Sequence, residues 1–306
     1  MGLAGLLVPE ERGGQGASAR EAAVVLEELG RAVAPVPYLT SAVVATEALL
    51  ACGDGELLGR LASGRTIGAL AVGLHSAPDA AFATVRVENG SLHGELTGIA
   101  DAAAADVLLV PADDGALYAV TADTVAVTPP ALLDLTRPLA TVTLAGAPGR
   151  RLGDAGPAVR RALRAAAGLL ASEQLGVADW ALTETVRYLK ERKQFNRPVG
   201  GFQALKHRLA QLWLEVVSLR AAARAAADAL ASGEDTDITV AVTQAYAAPV
   251  AVHATEEALQ LHGGIGMTWE HPVHLYLKRA KADSIAYGTA GAHRSALAGL
   301  VDLQAP

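Results

Sequence analysis

From about residue 157 to the C-terminus, the sequence fits α-helices almost without interruption, and this constrains the fold more than any other feature. Apolar residues recur at helical spacing through VRRALRAAAGLLASEQLGVADWALTETVRYL. Gly200-Gly201 breaks the pattern before a second helix, FQALKHRLAQLWLEVVSLRAAARAAADAL, which Ser232-Gly233 ends. A third helix covers ITVAVTQAYAAPVAVHATEEALQLH, with Pro249 expected to kink it. A fourth follows His271-Pro272 and a fifth closes the chain. The pattern therefore stays helical to the end of the chain.

The rest of the chain divides in two. Residues 1–65 read as helical. Ser18 can cap a helix through AREAAVVLEELG, with Gly30 as its stop signal. Pro35 and Pro37 punctuate the chain, and further helices are expected over 40–51 and 55–62. The composition shifts near Arg65 to short β-like runs: IGALAVGL, AFATVRVENG, DVLLVPADDG, LYAVTADTVAV and LATVTLAG. Asn89-Gly90 and Asp113-Asp114-Gly115 are turn signals between them. The expected architecture is mainly α with a small β-barrel or sandwich in the middle: a helical region over 1–65, a β-domain over 66–152 and a helical bundle over 153–306.

Composition narrows the function classes. Apolar residues make up 51% of the 306 positions while aromatics are only 4%, which favours close packing of small-residue helices over a large β-sandwich. A net charge of −7 does not suit general nucleic-acid binding. The single Cys52 excludes an internal disulfide framework and any multi-cysteine metal centre, and no metal is expected. No apolar run reaches the ~18 residues of a membrane span. The N-terminal stretch lacks the basic region of a secretory signal, so a cytoplasmic protein is expected.

Two blocks carry the chemistry: YLKERKQFNRPVGGFQALKH over 188–207 and LQLHGGIGMTWEHP over 259–272. Taken singly, their polar residues are bland. Arg192 beside Lys190, Lys193 and Arg197 reads as a solvated helix face, Gly263-Gly264 as a helix stop, and Gln203 and Gln260 as surface positions. Together, in residue type, spacing and order, the two blocks resemble the C-terminal domain of the acyl-CoA dehydrogenase flavoprotein family. VPEERGGQG over 8–16, LEELGRAVAPVP over 26–37 and LDLTRP over 133–138 also resemble family segments, so the likeness spans nearly the whole chain. Family members usually carry further helices ahead of the VPE-type loop. The N-terminal region is therefore expected to be shortened, with extra room at the acyl site.

The resemblance implies FAD as cofactor and an acyl-CoA thioester as substrate. In such proteins a carboxylate removes the Cα proton while a hydride leaves Cβ for the flavin. Each flavin is shared between two subunits, one supplying the base and the other closing the pyrophosphate and adenosine side. The likeness gives the second role to Arg192, Gln194, Phe195, Gln203, Gln260, Gly263 and Gly264. The residue types fit: a guanidinium offers forked, charge-assisted bonds to phosphate oxygens, glycine amides approach a phosphate closely, and an aromatic packs beside a ring. His207 and His262 fall in the same motifs as packing or surface positions.

The chain departs from the family where the base should be. The usual Tyr-Glu-Gly-Thr motif reads Ala286-Tyr287-Gly288-Thr289, so Tyr287 stands in the glutamate position. A phenol of ordinary pKa ~10 is a poor base at neutral pH. Some members place the glutamate on the first helix of this domain; that position falls near Ala166, which carries no acid. Glu173, two turns on, and Asp283, one turn before Tyr287, are the candidates for a relocated base, each also readable as an ordinary polar helix residue. Thr289 keeps a flavin contact of the family type, and Gly291 replaces a glutamine that often follows it.

Loss of the base side with survival of the neighbour side points to a subunit of a heteromeric acyl-CoA dehydrogenase. Its partner would be a homologue carrying the glutamate, as in bacterial α2β2 assemblies of which several act on steroid or other bulky acyl-CoA thioesters, so a place in fatty-acid or steroid side-chain β-oxidation is expected. Two alternatives stand beside it. One is a self-sufficient homo-oligomer with a relocated acid, and the other a non-catalytic scaffold or flavin-binding interaction protein on the same fold. An electron-transfer flavoprotein as acceptor is a further implication of the resemblance.

Overall fold

The computed structural model describes residues 2–303. The first helix, α1 (Ala19–Arg31), begins at a capping box: the Ser18 backbone N–H and hydroxyl both donate to Glu21, and Arg20 N donates to the Ser18 hydroxyl. It is followed by a π-helical segment (Tyr38–Ala45) that runs directly into α2 (Thr46–Cys52), and then by α3 (Gly55–Ala62), capped by Asp54.

Eight strands follow: β1 (Gly68–Leu70), β2 (Arg86–Glu88), β3 (Ser91–Ala100), β4 (Val107–Pro111), β5 (Ala116–Thr121), β6 (Ala126–Thr128), β7 (Leu139–Pro148) and β8 (Arg150–Asp154). They form two four-stranded sheets, ordered β1-β4-β5-β8 and β2-β3-β7-β6, with only the β1–β4 pair parallel. β3 and β8 were not anticipated. β3 (SLHGELTGIA) is interrupted by polar residues and glycines, and it is held as a strand by its long pairing with β7. β4 is buried on both faces, as its unbroken apolar run requires. Leu108 and Val110 enter the core between the sheets with Val120, Val142 and Leu144, while Val107 and Leu109 face the helices.

The C-terminal bundle comprises α4 (Ala155–Glu191), α5 (Gln203–Ser232), α6 (Thr236–His262), α7 (Val273–Asp283) and α8 (Ala290–Leu300). The α6 helix continues through Pro249. Along its middle, α4 is buried nearly all round, because it packs against α1, α2, α5, α6 and α7. The crossing with α1 brings the two backbones into contact. A Cβ on Gly30 would meet Glu173 O at 2.1 Å, and one on Gly176 would meet Glu27 O at 2.0 Å. Gly30 is therefore not the expected stop signal; the helix runs past it to Arg31, and the glycine lets two backbones touch.

Candidate functional site

At the C-terminal end of α4 the chain leaves the helix and forms a tight hairpin. Arg192 caps α4, its N–H donating to Tyr188 O at 2.8 Å. β9 (Lys193–Gln194) then pairs with β10 (Arg197–Pro198) across a two-residue turn made by Phe195 and Asn196, both at positive φ. Such a turn matches the twist of the paired strands but usually recruits Asn or Gly at both places. Phe195 is thus an aromatic held in the left-handed region, and it is 84% exposed. Its ring meets Phe202 edge-on at 6.1 Å, and the Arg197 guanidinium lies 3.9 Å over the Phe202 ring.

This hairpin faces the end of α6. There His262 gives way to Gly263, whose φ of 63° and ψ of −139° only glycine adopts readily. An open cleft of about 450 Å³ lies between the two segments, and its lining includes Arg192, Gln194, Gln260, Gly263 and Gly264. Five of the residues singled out in the sequence therefore converge from two segments some 70 positions apart. Tyr188, Arg208 and His262 join them on the wall. Among the described residues Arg192 makes no ion pair, and the side chains of Gln194 and Gln260 make no hydrogen bond. A Cβ on Gly263 or Gly264 would meet nothing within 4 Å. One unpaired cation, two free amides and bare backbone form a donor set that suits a phosphate-bearing ligand. Phe195 and Gln203 sit outside this lining, Phe195 at the hairpin tip and Gln203 exposed at the start of α5. Thr289 is elsewhere, as the N-cap of α8, where its hydroxyl accepts from Ala292 N at 3.1 Å.

The surroundings of Tyr287 are closed. Its side chain packs in the core with Ala286, and only about 10 Å³ of space lies beside it, between Thr40, Val44, Leu70, Val72, Leu74, Ala100 and Leu163. The residue has positive φ, and its backbone is tied on both sides: its N–H donates to Leu74 O at 2.6 Å, and its carbonyl accepts from His293 Nε2 at 3.0 Å. Burial pushes the phenol well above its ordinary pKa, so it stays neutral.

The two acids considered as relocated bases are committed elsewhere. Glu173 receives Arg137 Nη2 at 2.6 Å on both oxygens and is also paired with Arg279. Asp283 is paired with Arg137, and Asp134 accepts from Arg279 Nε at 2.7 Å. All five side chains are buried. Neither Glu173 nor Asp283 lines the small space beside Tyr287. They are not ordinary polar helix residues either; they are the bundle's half of an ion network whose other half comes from the loop ahead of β7. With two arginines against three carboxylates, the network is neutral only if one acid keeps its proton. Burial pushes Asp283 up to about 7, and its Oδ2 is buried without a hydrogen-bond partner. Burial alone would raise Glu173 too, but Arg137 and Arg279 outweigh it and hold Glu173 below its ordinary value. The structural role of Asp134 and Arg137 was not legible in LDLTRP, because their partners lie far along the chain.

The chain thus sets a β-domain between two helical segments, with an open cleft where the ends of α4 and α6 meet. Residues 1–64 match the acyl-CoA dehydrogenase N-terminal domain and residues 156–300 the C-terminal domain. The chain belongs to the acyl-CoA dehydrogenase family, whose members use FAD. It is 39% identical over 288 residues to the acyl-CoA dehydrogenase IpdE2 of Mycolicibacterium smegmatis, covering 94% of this chain and 81% of that protein. Among solved structures it is similar to the ChsE4–ChsE5 complex from Mycobacterium tuberculosis (32% identity, TM-score 0.85, covering 100% of this chain and 86% of that one). It is also similar to a variant of the Tcur3481–Tcur3483 steroid ACAD (33% identity, TM-score 0.85, covering 98% and 86%). Among the described residues no helix is long and apolar enough to cross a membrane. Family and fold support acyl-CoA dehydrogenation as the chemistry.

Proposed function

We propose that this chain is the base-lacking subunit of a heteromeric, FAD-dependent acyl-CoA dehydrogenase, completing a flavin site whose catalytic glutamate lies on a homologous partner. The observation that carries this reading is a contrast within one molecule. The cleft lined by Arg192, Gln194, Gln260, Gly263 and Gly264 is open and unpaired, while the space beside Tyr287 is closed to about 10 Å³. The likeness to ChsE4–ChsE5, solved as a complex of two different proteins, supports it further.

Bound FAD would supply the hydride acceptor that acyl-CoA dehydrogenation needs. This chain's contribution is placement. Arg192 offers a forked donor to pyrophosphate oxygens, Gln194 and Gln260 donate amide N–H groups, and the bare Gly263-Gly264 backbone allows close approach. Phe195 at the hairpin tip and Gln203 at the start of α5 extend this surface toward the partner. Steroid or other bulky acyl-CoA thioesters are the proposed substrates; the similar Tcur3481–Tcur3483 protein is described as a steroid ACAD. An electron-transfer flavoprotein is the proposed acceptor and the cytoplasm the proposed location.

The test is flavin content by absorbance, for the chain expressed alone and with a homologous glutamate-bearing partner. Little FAD alone but about one per pair is expected. About one FAD per chain alone, with turnover, would sink the proposal and favour a self-sufficient enzyme.

A further inference from the structure

Glu184 on α4, His262 at the end of α6 and His271 on the turn before α7 bring one carboxylate oxygen and two imidazole nitrogens within 4.8 Å of one another. His262 is 3% exposed. Its Nδ1 lies 2.7 Å from Ala258 O; a carbonyl only accepts, so Nδ1 carries a proton, and in the neutral ring Nε2 holds the lone pair. That Nε2 is buried and has no hydrogen-bond partner. The ring cannot turn away to find one. Tyr188 stacks against it at 4.5 Å and the His271 ring packs against it at 4.3 Å. A desolvated, unpaired and fixed lone pair is costly unless something binds it.

We propose that Glu184, His262 and His271 form a binding site for a divalent transition-metal cation of the zinc class. Two imidazoles and a carboxylate are the donors such ions take, and three protein ligands leave one position for water. The Ala258 carbonyl behind Nδ1 is the kind of outer partner that fixes a ligand histidine's tautomer. Glu184 now accepts from Arg187 on both oxygens, from Nε at 2.9 Å and from Nη2, but Arg187 is exposed and bonds Glu191 at 2.9 Å as well, so an arriving ion would displace one of these surface contacts. His271 Nδ1 accepts from Val273 N at a long 3.3 Å, and metal binding would give up that contact as the tautomer switches. Because His262 also lines the cleft, the ion would add positive charge to the wall that Arg192 helps form. The inference does not rest on the flavin reading.

The experiment is a titration of the chelator-stripped, tag-free full chain with Co²⁺, followed by its d–d absorption, and then displacement by Zn²⁺. About one Co²⁺ per chain in a low-coordinate spectrum is expected, with His271→Ala and Glu184→Gln each weakening binding about tenfold or more. Circular dichroism of the metal-free variants should match the parent. His207→Ala, an exposed control, should bind as the parent does. Absence of Co²⁺ binding, or binding unchanged in Glu184→Gln and His271→Ala, overturns the proposal and leaves a packed pair of imidazoles. Should His271→Ala fail to fold, Glu184→Gln decides.

Discussion

Arg137 Nη2 lies 2.6 Å from both carboxylate oxygens of Glu173, joining the loop ahead of β7 to the middle of α4 where neither residue meets water. With Arg279, Asp134 and Asp283 it forms the ionic joint between the β-domain and the bundle. Breaking one member of a buried pair is far costlier than the pair's net worth, since the other charge is left uncompensated. Glu173→Gln should therefore lose about 3–5 kcal/mol of unfolding free energy, read from urea midpoints. Normal stability with abolished turnover would instead restore Glu173 as a base.

Asp283 gives the joint a pH dependence of unusual sign for a carboxylate. Its folded pKa is pushed up to about 7 by burial, against 3.8 ordinarily. Between those values the unfolded chain has released the proton and the folded chain has kept it, so this group's contribution falls as pH rises from about 4 to about 7 and then levels. Asp283→Asn removes that penalty. The variant should gain stability relative to the parent on going from about pH 5 to about pH 8, by on the order of 1–3 kcal/mol. A constant difference across that range would refute the assignment.

Arg192 is exposed and unpaired among the described residues, so its removal should spare the fold. In the complex with a glutamate-bearing partner, Arg192→Ala should weaken FAD binding about tenfold to a hundredfold, a loss of about 1.5–3 kcal/mol for hydrogen bonds to a charged group. Lysine should rescue it only in part, since a point charge lacks the fork. Flavin retention after gel filtration, with the thermal midpoint of the flavin-free chain as control, gives the answer.

The α1–α4 crossing tolerates no side chain. Gly176→Ala would set a Cβ 2.0 Å from Glu27 O, so the helices must part. A loss of about 1–3 kcal/mol is expected from overpacking, seen as a lowered denaturation midpoint. Gly201→Ala, whose Cβ meets nothing within 4 Å, is the matched control.

Much of the molecule was already legible in its sequence. The α4–α6 helices follow from apolar periodicity and glycine breaks, the start of α1 from Ser18, and α3 is expected over the 55–62 it occupies. These are local signals, set by residues within one or two turns. The two motif blocks also sufficed to single out Arg192, Gln194, Gln260, Gly263 and Gly264. What the tertiary structure alone decided is where partners come from elsewhere in the chain. Gly30 reads as a stop until α4 is seen against it, and β3 is not among the expected strands until β7 pairs with it. Glu173 and Asp283 read as relocated bases or ordinary polar helix residues until Arg137 and Arg279 close on them, and His262 reads as a packing or surface position until it is seen beside Glu184 and His271 with its Nε2 buried and unpartnered. The period of a helix is written in adjacent residues, whereas the pairing of a buried charge depends on which distant side chains folding brings to it.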